Sequence, residues 1–217
     1  FFVQGESFAV IQAGDYYFHS NDANRTLPLI WNGFFLRRSI GITTLVAPAI
    51  APGINEIPAA TCMWYHGSRI WYALGRAVAA GDIAGGPSGT AFYHNRDSIL
   101  SVTENPLCFG GDGFSLPTTA GNIRALREEV NLNESVGQSR LLIWTRKSVF
   151  ALSVPSTRSD WISADINNGP SLVPIQRESG SVGDRCVVAS NGDWFYQSFE
   201  PSIRSLISAV RQYNQWG

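Results

Sequence analysis

Residues 85–89, Gly85-Gly86-Pro87-Ser88-Gly89, have the glycine density of a loop that cradles phosphate. A phosphate loop also needs a closing Gly-Lys-[Ser/Thr], and it relies on backbone N–H donors. The closing triplet is missing and Pro87 removes one donor, so a plain surface loop is expected here. Ser88 sits where the nucleophile of a Gly-x-Ser-x-Gly elbow would sit, but Thr90 stands in place of the last glycine. Cys62 and His66, with His94 and Cys108 further on, are the residues that could ligate a metal. Zinc sites usually contain a tight Cys-x₂₋₄-Cys pair, and the chain has none. If residues 62–66 form a strand, Cys62 and His66 share a face, and packing explains them.

Glu128-Glu129 is the adjacent carboxylate pair. Glycoside hydrolysis needs two carboxyl groups facing one bond, whereas neighbours on a strand point to opposite faces. Asn191-Gly192-Asp193-Trp194 is faintly similar to the Asp-rich turns of sialidase propellers. It lacks their Ser-x-Asp-x-Gly order, and a hairpin turn accounts for it more simply. The expectation is that no residue is catalytic, binds a cofactor or ligates a metal, and that the protein is not an enzyme.

These residues must be carried by short strands. The chain has 21 glycines and 11 prolines among 217 residues, and they interrupt every long helical pattern. Between them lie runs in which an apolar segment, a tight turn and an aromatic segment follow one another. The runs are 10–18, 29–36, 63–72, 142–152 and 187–196. Asn32-Gly33 and Asn191-Gly192 are the strongest turn signals, because a type I′ turn needs positive φ at both central residues. Strands are expected near 8–18, 63–73, 140–153 and 186–197. Residues 122–130 fit either a helix or a strand, and 203–213 fit a helix started by Pro201-Ser202. The fold class is all-β, a β-propeller or propeller fragment built from antiparallel hairpins, with a β-sandwich as the alternative. Residues 1–217 are expected to form a single all-β domain, part of a longer polypeptide.

Composition narrows the partners. Sixteen Lys+Arg against 17 Asp+Glu leave a formal net charge of −1. Sequence-specific nucleic-acid binding is not expected from that balance, because phosphate neutralisation calls for a basic surplus. No apolar run is long enough to span a bilayer, so no membrane partner is expected. Three widely spaced cysteines do not form a disulfide framework. Lys147 is the single lysine, and every other basic residue is arginine, the basic residue that interfaces favour.

Taken in order, several segments resemble a known family. Phe8-Ala9-Val10-Ile11-Gln12-Ala13-Gly14, Pro28-Leu29-Ile30-Trp31-Asn32-Gly33 and Leu36-Arg37-Arg38-Ser39 open the pattern. Met63 to Trp71, Val78 to Ile83, Arg96-Asp97-Ser98-Ile99-Leu100 and Thr103-Glu104-Asn105 continue it. Gly137 to Ile143, Val149 to Leu152, Asn191 to Tyr196 and Ile203-Arg204-Ser205-Leu206 close it. The order resembles the β-propeller region of tailed-phage virion proteins, of the nozzle and hub type in short-tailed phages. The resemblance implies a structural role in the virion tail, in a homo-oligomeric ring that touches other tail or connector proteins. It carries no catalytic residues and no cofactor. A glycan-binding or glycan-cleaving propeller used in receptor recognition is the alternative. The two differ in where Trp64, Trp71, Trp144 and Trp194 point. Inward packing suits the scaffold, and an open aromatic cleft suits the sugar binder.

Overall fold

A computed structural model describes residues 2–4, 9–11, 27–31, 36–39, 59–67, 69–80, 114–129, 139–153 and 171–207. Its strands fall into four antiparallel sheets, each built from consecutive strands. The first sheet contains β1 (Phe2–Gln4), β2 (Ala9–Ile11), β3 (Leu29–Trp31) and β4 (Leu36–Arg38). The second contains β5 (Met63–His66), β6 (Arg69–Leu74), β7 (Ala77–Ala80) and β8 (Phe114–Ser115). The third contains β9 (Ile123–Glu128), β10 (Leu141–Thr145), β11 (Val149–Leu152) and β12 (Leu172–Gln176). The fourth has three strands, β13 (Val187–Ser190), β14 (Asp193–Gln197) and β15 (Ile203–Ser205). The all-β class expected from the sequence is therefore present.

Local chemistry explains most of the pairings. Asn191 (φ 50°) and Gly192 (φ 75°) form the two-residue turn between Ser190 and Asp193. Both are left-handed, as the twist of a tight hairpin requires. In the β10–β11 hairpin the Thr145 hydroxyl accepts from the backbone N–H of Lys147 and Ser148, which ties the turn to the strand end. Pro174 lies in β12, at the edge of its sheet, where a missing donor is tolerated.

Two expectations need correction, and one open reading is decided. A hairpin within the run 10–18 would pair 10–11 with 16–18, but β2 pairs with β1 on one side and β3 on the other, and residues 12–18 lie outside the described ones. Both of its edges are taken, so the first two hairpin runs contribute to one sheet. Ile203–Ser205 is strand β15, not the start of a helix, because the open edge of β14 satisfies its backbone. Helical geometry begins only at Leu206 and Ile207, and residues 208–213 lie outside the described ones. Of the two readings open for residues 122–130, the strand holds, over Ile123–Glu128. A bulge opposite Trp144 and Thr145 inserts Arg124, which puts Ile123 and Leu126 on the same face. That i, i+3 spacing imitates a helix. Asn32-Gly33 lies outside the described residues.

Alternation along the strands decides what each sheet faces. Leu141, Ile143, Phe150 and Leu152 join Trp71, Ala73, Val78 and Ala80 of the second sheet in one core. Leu142, Trp144, Val149 and Ala151 point the other way, into a core with Val187, Trp194 and Tyr196 of the fourth sheet. Strands β10 and β11 of the third sheet are thus buried on both faces, while its edge strand β12 is partly exposed. The second sheet also buries residues on its other face, namely Met63, Ile70 and Tyr72. Leading strands neighbour one another: β1 lies against β5, β5 against β9, and β9 against the 3-10 turn Asp184–Cys186 that enters β13.

Candidate functional site

The chemically richest cluster lies at the end of β9, where the second, third and fourth sheets meet. Arg127 pairs with Leu142, so its position is on the fourth-sheet side of β9. Its guanidinium donates through Nη1 to Asp184 Oδ1 at 2.7 Å and to the Leu126 carbonyl at 2.7 Å. Nη2 donates to the carbonyls of Asp184 at 2.5 Å and Val187 at 3.5 Å. The same group lies over the ring of Trp64, 4.7 Å from its centroid, and 6.0 Å from that of Trp194. A buried cation is tolerated when a counter-charge and acceptors replace its water, and Arg127 has both while only 7% exposed. With its donors engaged in this way, it acts as a joint between sheets. It is not an open anion site.

The tryptophans complete the joint. Trp64 meets Trp194 edge to face at 6.4 Å, and Trp194 meets Trp144 in the same manner at 6.0 Å. Trp144 also meets Tyr196 at 6.5 Å, and the Trp194 indole donates to the Glu128 carbonyl at 2.8 Å. T-shaped contacts of this kind add to the gain from burial itself. Trp71 and Trp144 are fully buried, Trp194 is buried, and Trp64 is partly buried against the same core. All four tryptophans that separate the two functional readings point inward.

Next to the joint lie a serine, a carboxylate and an imidazole. Ser139 donates to Glu128 Oε1 at 2.5 Å, and His66 Nδ1 is 3.8 Å from that oxygen. Burial pushes the His66 pKa below its ordinary value, while the Glu128 carboxylate and the Ser139 backbone pull it back up. A hydrolytic triad needs the hydroxyl bonded to the imidazole and the carboxylate behind it. Here the hydroxyl is bonded to the carboxylate, which is the wrong order for activating a nucleophile. The arrangement ties the end of β5 to the start of β10.

Glu129 turns away from Glu128 and receives two hydrogen bonds from Arg140, at 2.7 and 2.5 Å. That contact raises the arginine's pKa further. The adjacent glutamates therefore do not face a common bond. Cys62 is buried in the core between the second and third sheets, and His66 closes β5. His94, Cys108 and residues 85–90 lie outside the described residues. Among the described residues no three His, Cys, Asp or Glu side chains gather as metal ligands would. Asp193 is spent on the hairpin. Its Oδ1 accepts from the backbone N–H of Trp194 at 2.7 Å and of Ile207 at 3.1 Å, and its Oδ2 accepts from the Ser205 hydroxyl.

Sequence reasoning did not find Arg127, Ser139 or Asp184. Arg127 and Asp184 are 57 residues apart, and only the stacking of sheets brings them together. The available signal is an arginine at an inward position of a strand. Among the described residues no helix is long and apolar enough to cross a membrane. No protein-family model matches the chain, and no curated protein matches it.

Proposed function

We propose that the chain is a structural component of a phage virion, a tail nozzle- or hub-type protein whose sheets are the blades of a β-propeller. The carrying observation is the third sheet, a meander of consecutive strands whose inner strands β10 and β11 are buried on both faces by neighbouring sheets. A two-layer sandwich leaves each sheet one solvent face and joins its strands through Greek-key crossovers. Neither feature fits the third sheet. Propeller blades are consecutive meanders stacked face to face, with their first strands nearest the axis. The succession of β1, β5, β9 and the turn before β13 suits that arrangement.

The scaffold role draws on the site. Arg127, Trp64, Trp144 and Trp194 are used up in joining sheets, and the Ser139, Glu128 and His66 set is ordered for positioning. Such chemistry makes a stiff body able to carry load. The glycan reading calls for those four tryptophans on an open cleft, and their inward packing favours the scaffold. The resemblance in segment order supplies the tail location and the ring of like subunits with connector proteins. Mass spectrometry of purified particles of the virus encoding the chain, with antibody labelling in the electron microscope, tests this. The chain should be present in stoichiometric amounts and the label should decorate the tail. Particles lacking the chain would overturn the proposal.

A further inference from the structure

Asn191 and Gly192 form the β13–β14 turn, and they are also a reactive pair. The side-chain amide of an asparagine is open to attack by the backbone nitrogen of the next residue, and a glycine there puts no side chain in the way. Gly192 N loses its proton and bonds to Asn191 Cγ. The Cγ–Nδ2 bond breaks, and ammonia leaves with the proton. The five-membered imide then takes up water. Cleavage of its N–Cγ bond leaves aspartate. Cleavage between that nitrogen and the main-chain carbonyl carbon leaves isoaspartate, whose backbone runs through Cβ.

The folded turn opposes the first step. Ring closure needs Gly192 N and Asn191 Cβ on the same side of the Asn191 Cα–C bond, because both belong to the ring. Asn191 is left-handed, with φ 50°. In that region ψ is about +47°, which sets the nitrogen and Cβ on nearly opposite sides of the bond. Bringing them together takes about half a turn of ψ and leaves the left-handed region. A two-residue hairpin turn does not survive that rotation, because both of its central residues must be left-handed.

The pairing behind the turn resists it. Ser190 faces Asp193, Ala189 faces Trp194, and Val187 faces Tyr196. Trp194 and Tyr196 are buried, and the Trp194 indole donates to the Glu128 carbonyl at 2.8 Å, which anchors the hairpin to β9 of the third sheet. Asp193 Oδ1 accepts from the backbone N–H of both Trp194 and Ile207, so the strand after the turn is held as well. We propose that Asn191 is a deamidation site gated by this hairpin. The residue reacts only while the hairpin is open, and the Trp194 anchor sets how often that happens.

Peptide mapping by mass spectrometry, on samples held at mildly alkaline pH, reads the rate at residue 191. It separates this site from the other Asn-Gly pairs, at 32–33 and 168–169. Deamidation adds about 1 Da to the peptide that carries the residue. The guanidinium-unfolded chain should deamidate at 191, and the folded chain should do so at least about tenfold more slowly, since core side chains must leave their places first. Trp194→Phe keeps an aromatic ring and loses the indole donor. It should raise the folded rate by about fivefold and leave the unfolded rate unchanged. Equal rates in the folded and unfolded parent, or no deamidation at 191 in the unfolded chain, would overturn the proposal. A folded Trp194→Phe chain that reacts no faster than the parent would overturn the role of the anchor. The comparison of folded with unfolded parent needs no variant and decides the gating by itself.

Discussion

Gly180→Ala places a methyl group where the chain has no room for one. A Cβ built on Gly180 would lie 2.0 Å from the Thr145 carbonyl oxygen and 2.9 Å from Ser148 N. An ordinary carbon–oxygen contact is roughly 3.3 Å or more, so the two segments must separate by about an ångström. Both obstacles are backbone atoms of the β10–β11 turn, and they cannot rotate out of the way. Separation strains the hydrogen bond from Ser181 N to Thr145 O, 2.9 Å long, and that from Ser148 Oγ to the Arg177 carbonyl. Overpacking costs about 1–3 kcal/mol and a lost hydrogen bond about 1 kcal/mol. Replacing glycine also restricts the unfolded chain, which returns about 0.4–1 kcal/mol. The net loss is about 1–3 kcal/mol, a fall in melting temperature of roughly 3–10 °C for a chain of this size. Gly183→Ala is the control. Its backbone is extended, and nothing lies within 4 Å of the added methyl. Differential scanning calorimetry of both variants measures the effect. A Gly180→Ala variant at least as stable as the parent would refute the close approach of residues 177–183 to the hairpin.

Other outcomes follow from the joint and the turns. Arg127→Met leaves the half-buried Asp184 and three carbonyls without this donor, and should cost about 1–3 kcal/mol in denaturant unfolding. Arg127→Lys should not restore it, because a lysine ammonium lacks the planar fork. His66 has its pKa depressed by burial, so the fold favours neutral imidazole. Its contribution is complete above the unfolded value of about 6.5 and is lost as pH falls through the lower folded value. Urea unfolding between pH 7.5 and pH 5 should show that loss, and His66→Asn should flatten it. Gly192→Val forces a β-branched residue to positive φ and should cost about 1–3 kcal/mol, read as a lower melting temperature. Trp144→Ala empties a fully buried site and should cost about 3–5 kcal/mol.

The residues differ in how much of this they reveal. The hairpins at 63–72, 142–152 and 187–196 are legible, because strand propensity and turn chemistry lie within ten residues of each other. Alternation in β10 also reads directly, since its odd and even residues enter different cores. The bulge at Arg124 hides a strand behind helical spacing. Pro174 hides β12, because a proline demotes a strand until its edge position is known. The site is less legible than the fold. Cys62, His66 and Glu128 draw attention by residue type, yet their roles depend on neighbours from other sheets. Arg127 needs Trp64 from 63 residues before it and Asp184 from 57 residues after it, and no local pattern encodes that meeting.

A cryo-electron microscopy reconstruction of the virus particle tests the central claim most directly. It should contain the chain in the tail as a ring of copies. Within each copy the sheets should be arranged radially, with β1, β5, β9 and β13 nearest the axis. A tail fully accounted for without this chain, or sheets paired in two flat layers, would contradict the account.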